Sequence, residues 1–154
     1  MLSHFLMLSQ MLIALLFLIA SSSIPTAEGG DIERASNACA MGALAFAGVA
    51  EALAYDIDAV DSDQGREAFL AELESFDKHY HEMQTFKTIW LLSLSDALEQ
   101  LRHGLETNEK AAQGLHVPAA RIKQARASAW NYASNKLADV CMFRAGKLAG
   151  EGKL

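Results

Sequence analysis

The chain has 154 residues, of which 51% are hydrophobic and 21% are charged, and its formal net charge is −6. This length is in the usual range for a single domain. The acidic balance argues against nucleic acid as a partner, because proteins that bind nucleic acid present a basic surface.

The first 27 residues predict a secretory signal peptide. An apolar run from residue 5 to residue 20 is followed by three serines and Ile24-Pro25, which is typical of a signal core and its cleavage region. Residues 1–4 contain no Lys or Arg, so an N-terminal anchor retained at residues 5–24 and a buried core helix remain alternatives. Cleavage after Ser22 or Ala27 leaves one helical domain, residues 28–154, in the periplasm or outside the cell.

A long helix is predicted from Asp31 to Asp58, and we expect the other helices to pack around it. Apolar residues recur every seven positions from Ile32 to Val60, which gives the helix one apolar face. Small residues such as Gly42 make up much of this face, so neighbouring helices can approach its backbone closely. The polar residues after it that can cap the next helix are Asp61, Ser62 and Asp63.

The remaining sequence predicts further helices and shows no strand-like alternation. Helical periodicity runs from Arg66 to Gly104, which would be about 58 Å long if unbroken. We therefore predict a break near Lys87, where the register is interrupted. The pattern thins out over Leu105–Val117, and Pro118 suits the first turn of a last helix that ends near Leu148.

Cys39 and Cys141 are the only cysteines, and an even number in an exported chain favours a disulfide over two free thiols. Cys39 lies about 12 Å from the start of the first helix, and Cys141 about 10 Å from the end of the last. A bond therefore requires these two helix ends at the same end of the molecule. An up-down bundle meets this condition with four helices and fails with three. We predict an all-α, compact antiparallel four-helix bundle.

No catalytic or cofactor-binding residue is predicted, and the metal candidates are weak. In the acidic turn, carboxylates occupy places 1, 3, 7 and 12 of a calcium loop, but Arg66 stands at place 6, where Gly is needed. Elsewhere a carboxylate and a histidine are one helical turn apart, without ligands from a facing helix. These candidates are Asp61, Asp63, Glu67 and Glu72 in the turn, and Asp77 with His81.

Charge is unevenly distributed along the chain. Residues 28–117 contain 17 acidic and 6 basic side chains, whereas residues 118–148 contain 1 acidic and 6 basic. We expect the last helix either to pack against the acidic remainder or to present a basic face to a partner. A phosphate-binding loop, a G-x-S-x-G motif and a C-x-x-C-H motif are all missing from the sequence, so no enzymatic activity is predicted.

These features predict a small exported, non-enzymatic helical bundle that acts by binding a protein partner. Its plan of a signal segment, a compact acidic helical domain and one cysteine near each end is similar to that of periplasmic immunity proteins that neutralise secreted cell-wall toxins. That resemblance implies an inhibitor. The alternatives are a metal- or haem-carrying bundle and a membrane-tethered structural protein. We expect no cofactor and no nucleic acid, and membrane contact only if the N-terminal segment is retained.

Overall fold

The computed structural model describes residues 26–76 and 84–154, and every long element in these ranges is a helix. From Asp31 to Leu154 the chain forms one compact unit. The all-α prediction is confirmed, whereas residues 1–25 of the predicted signal segment lie outside the described residues. The helices are α1 Thr26–Ala52, α2 Ile57–Val60, α3 Asp63–Phe76, α4 Gln84–Leu115 and α5 Ala119–Gly150.

Helices α3 and α4 run antiparallel. Arg66 of α3 donates a hydrogen bond to Ser95 of α4 at 3.0 Å, although one continuous helix would separate these residues by about 43 Å. Arg102, further along α4, contacts Asp58, which precedes α3. The predicted break between two helices is therefore confirmed, but it does not lie at Lys87, which is inside α4.

Helices α1 and α5 are also antiparallel and are joined covalently. Cys39 and Cys141 form the predicted disulfide, with their Cα atoms 5.5 Å apart. Further along α1, Phe46 stacks on Trp130, which precedes Cys141 on α5. The start of α1 and the end of α5 thus lie at the same end of the molecule, as the predicted four-helix topology requires.

The small face of α1 allows a close helix contact in the core. The indole of Trp90 on α4 lies directly over Gly42, where a Cβ atom would approach Trp90 Cδ1 to 2.9 Å and Leu137 Cδ2 to 3.1 Å. Trp90 Nε1 donates a hydrogen bond to the Ala38 carbonyl oxygen at 2.9 Å, so the one polar atom of this buried indole is satisfied. The other large side chains that are fully buried include Phe46, Phe69, Leu73, Leu94, Leu98 and Leu137.

Helix α1 ends at Ala52, earlier than the predicted end at Asp58. Ala54 and Tyr55 follow in the left-handed conformation, with φ values of 53° and 58°, so the right-handed helix cannot continue. The side chain of Asp56 then accepts hydrogen bonds from the backbone N–H groups of the next helix, α2. This N-cap starts α2 in a new direction.

The connection between α2 and α3 is held by Ser62, one of the three predicted caps. Ser62 Oγ accepts a hydrogen bond from the Gly65 N–H at 3.1 Å and donates one to the Ala59 carbonyl oxygen at 2.6 Å. A Cβ atom at Gly65 would overlap the carbonyl oxygens of Ala59 and Val60. This turn therefore requires glycine at position 65, because two backbones meet there.

The two interior glycines of α1 offer a test of the close contact with Trp90. Gly42→Ala should lower the free energy of unfolding by about 1 kcal/mol, because overpacking costs about 1 to 3 kcal/mol and the gain in helix propensity offsets about 1 of it. Gly48→Ala should instead raise it by about 0.5 to 1 kcal/mol, since its nearest neighbour is the flexible Glu72 carboxylate. Urea unfolding monitored by circular dichroism measures both values, and equal effects would contradict the close contact.

Candidate binding surface

The hairpin of α4 and α5 extends beyond the other helices at one end of the bundle. No residue between Leu101 and Trp130, a stretch that the structure describes completely, is buried. Arg102 makes the last hydrogen bonds that tie α4 to the α2 turn, and the residues after it continue α4 to Leu115 over about 20 Å. We call residues 105–129 the arm.

The arm has an apolar seam that is only half covered. Half-buried apolar side chains of both helices lie along it, and a groove of about 150 Å³ runs there, with Asn108, Glu109 and Arg121 also in its lining. Leu115, at the tip, is 75% exposed. The apolar residues that are half-buried along the arm are Leu105, Ala112, Val117, Ile122, Ala125 and Ala129.

A cleft opens at the base of the arm, beside Tyr55. This Tyr55 cleft has a volume of about 410 Å³. Tyr55 is 53% exposed, and its ring meets the buried indole of Trp130 edge-on, with ring centroids 5.5 Å apart. The residues that line the cleft are Ala54, Tyr55, Lys123, Arg126, Ala127, Trp130 and Asn131.

Two openings that share Tyr55 differ in the charges of their lining. Among the described residues, the Tyr55 cleft is lined by Lys123 and Arg126 and by no carboxylate. A second opening, of about 320 Å³, shares Tyr55, Arg126 and Trp130 with the cleft, and its lining also includes Arg102 and the carboxylates of Asp56, Glu106 and Glu109. A basic cleft therefore adjoins a mixed, partly acidic opening at Tyr55 and Arg126.

The arginines of the bundle differ in whether they have partners. Arg102 donates hydrogen bonds to Asp58 at 2.8 Å and to Asp61 at 3.4 Å, and the bond to Asp58 raises the pKa of the guanidinium above its ordinary value. Arg126 and Lys123, by contrast, form no ion pair with any described residue. These two cations of the cleft are therefore available to a ligand.

Most basic side chains of the last helix form no ion pair with the other described helices. Arg144 pairs with Asp96 of α4 at 2.6 Å, and this is the only ion pair between α5 and the other described helices. The basic residues of α5 that have no such pair are Arg121, Lys123, Arg126, Lys136 and Lys147. Ion pairing to the acidic remainder therefore does not account for most of the positive charge of α5.

The four carboxylates of the predicted calcium loop do not gather around one point. Asp61 accepts hydrogen bonds from Arg66 and Arg102. Asp63 and Glu67 are exposed on α3, whereas Glu72 lies beside Gly48. Within residues 26–76 and 84–154, no group of three or more His, Cys, Asp or Glu side chains could hold a metal ion. The second candidate pair, Asp77 and His81, lies outside these ranges.

Comparisons of the chain with family models, with curated proteins and with solved structures find no match. Among the described helices, none is long and apolar enough to cross a membrane. The function of the chain must therefore be argued from the geometry of its own surface.

Sequence reasoning missed both the arm and the Tyr55 cleft. The sequence predicts that the helical pattern thins out over residues 105–117, but α4 continues through Gly104 and Gly114 to Leu115. The small apolar residues of the seam are the only sequence signal for the arm. On their own, such residues indicate a helix of low stability and do not indicate that two helices pack together. The cleft had no local signal, because its lining comes from the α1 turn and from α5.

The left-handed residues beside the cleft store strain that a substitution can release. Ala54→Gly should raise the free energy of unfolding by about 1 kcal/mol, because glycine adopts a positive φ without the steric cost of a Cβ atom. Ala47→Gly, at an exposed position inside α1, should instead lower it by about 1 kcal/mol. Chemical denaturation of both variants measures the difference. Destabilisation by Ala54→Gly would contradict the left-handed conformation.

Proposed function

We propose that this protein is an exported, non-enzymatic helical bundle that binds a protein partner through its arm, as an inhibitor or immunity-type protein. The observation that carries the proposal is the apolar seam of the arm, which no third helix of the described chain covers. Concave surfaces lined mostly by apolar side chains, with a few polar groups, are typical of binding sites. A two-helix seam of this kind suits an amphipathic helix that packs along it.

The disulfide supports the proposed compartment. Bonded cysteines persist in oxidising environments such as the periplasm and the extracellular space, and the Cys39–Cys141 pair is consistent with one. The apolar segment at residues 5–20 supports export by a separate argument from sequence. The two alternatives remain distinct from this proposal. A metal- or haem-carrying bundle would need converging ligands, and the described residues include no group of three or more His, Cys, Asp or Glu that could hold a metal ion. A tethered protein would need the N-terminal segment to be retained.

Substitution at the tip of the arm tests the binding proposal. Leu115→Asp should abolish capture of the partner from the native compartment, because it places a charge on the apolar surface that the partner covers. Leu44→Asp is the matched control, since Leu44 is also a helical leucine and is 61% exposed but lies on α1, outside the arm. The readout is affinity capture followed by mass spectrometry, in parallel with thermal unfolding of both variants.

A photo-crosslinking amino acid at position 115, and at position 44 as control, shows whether the captured protein touches the arm. A single adduct from position 115 alone is the expected result. Adducts from both positions, or equal capture by Leu115→Asp and Leu44→Asp, would contradict binding through the arm. An adduct with the mass of two copies of this chain would show that the arm binds a second copy of the chain and not a different protein.

Export is tested on the native protein without any variant. Mass spectrometry should find a chain that begins between Ser21 and Glu28, because cleavage is expected after the serines or after Ala27. An intact Met1 in the membrane fraction would instead establish the tethered alternative.

A further inference from the structure

We infer that the Tyr55 cleft binds an acidic segment of a protein, in which a carboxylate side chain lies next to an apolar or aromatic one. This inference rests on the proposed function and names the chemistry of the partner. The first observation behind it is the sign of the charge, since the described residues that line the cleft include two cations and no carboxylate although the whole chain has a net charge of −6.

Lys123 and Arg126 are arranged to receive one carboxylate together. They are three residues apart on α5, a spacing that places two side chains on the same face of a helix. Neither forms an ion pair with a described residue, so a ligand would not have to displace an internal partner. An arginine can also bind a carboxylate through two parallel hydrogen bonds.

The aromatic side of the cleft provides the apolar half of the recognition. Trp130 is one helical turn beyond Arg126 and holds the ring of Tyr55 edge-on, while the backbone at Ala54 and Tyr55 is fixed in a left-handed conformation. Non-glycine residues in this conformation concentrate at functional sites. The ring therefore stands at the rim of the cleft, where an apolar side chain next to the bound carboxylate can pack on it.

The size and the surroundings of the cleft distinguish a peptide from other anions. A volume of about 410 Å³ is in the range of sites that bury a whole ligand of several side-chain groups and exceeds what one inorganic anion fills. Glu106 and Glu109 line the adjoining opening. These carboxylates would repel a nucleic acid, whose charge repeats along its length, more strongly than a short peptide segment with one or two acidic groups.

A pair of peptides that differ only in charge tests the inference. The probes are acetyl-Leu-Glu-Phe-Glu-Leu-amide and its counterpart with Gln in place of both Glu residues. The full chain is labelled with 5-fluorotryptophan, so that its two tryptophans give separate fluorine resonances. The Glu peptide should shift the Trp130 resonance in a saturable manner and leave that of the core residue Trp90 unchanged. The Gln peptide should bind about tenfold more weakly, the loss expected for one charge-assisted hydrogen bond.

Variants of the cleft provide the matched comparison. Arg126→Gln and Lys123→Gln should each weaken binding of the Glu peptide by about fivefold to tenfold, as expected for the loss of one charged contact. Lys147→Gln should not, because Lys147 is exposed on the same helix but does not line the cleft. Thermal unfolding confirms that all three fold. Equal binding of the two peptides, or equal weakening by all three variants, would overturn the inference, and so would tighter binding of an eight-residue oligothymidylate at the same resonance.

The inference and the proposed function can fail separately. If Leu115→Asp abolishes capture of the partner but Arg126→Gln changes neither capture nor peptide binding, the arm binds the partner and the inference about the cleft is wrong. If the Glu peptide binds at Trp130 but no protein crosslinks at position 115, the cleft binds its ligand and the proposed use of the arm is wrong.

Discussion

The contact between Trp90 and the backbone of α1 at Gly42 is the constraint on which the bundle depends. The indole can lie there only because Gly42 has no side chain, and its hydrogen bond to the Ala38 carbonyl oxygen fixes its orientation. Cys39, between these two residues, carries the disulfide to α5. One short stretch of α1 therefore sets the distances to both α4 and α5, and a larger residue at position 42 would separate all three helices.

The surface that we propose for binding follows from a mismatch in helix length. Helix α1 has 27 residues and ends at Ala52, because Ala54 and Tyr55 turn the chain away. Helices α4 and α5 are longer, with 32 residues each. Their distal parts then have each other as the only long neighbour in the described chain. The turn that ends α1 also places Tyr55 against Trp130. The early end of α1 therefore leaves the arm uncovered and forms the cleft at the base of the arm.

The sequence predicted those features that depend on periodicity and spacing, and it failed where the outcome depends on tertiary contact. The four-helix topology followed from the heights of Cys39 and Cys141, which is a long-range argument available from helix geometry alone. The end of α1 at Ala52 was missed because no Gly marks it and left-handed Ala54 is uncommon. Lys87 does interrupt the apolar periodicity of the sequence. It does so because it is an exposed residue within α4, and the helix itself is not broken there.

The distribution of ion pairs separates what stabilises the bundle from what is free to recognise a partner. Exposed ion pairs contribute only about 0 to 1 kcal/mol each, so the buried core and the disulfide supply most of the stability, and the chain loses little by leaving cations of α5 unpaired. The pairs of Arg66 and Arg102 are with Asp58 and Asp61, in and just after the short helix α2 that follows Tyr55, and Asp56 caps the start of that helix. Unpaired Lys123 and Arg126 then lie next to a turn that is held in place, and a binding site gains affinity when its framework is ordered before the ligand arrives.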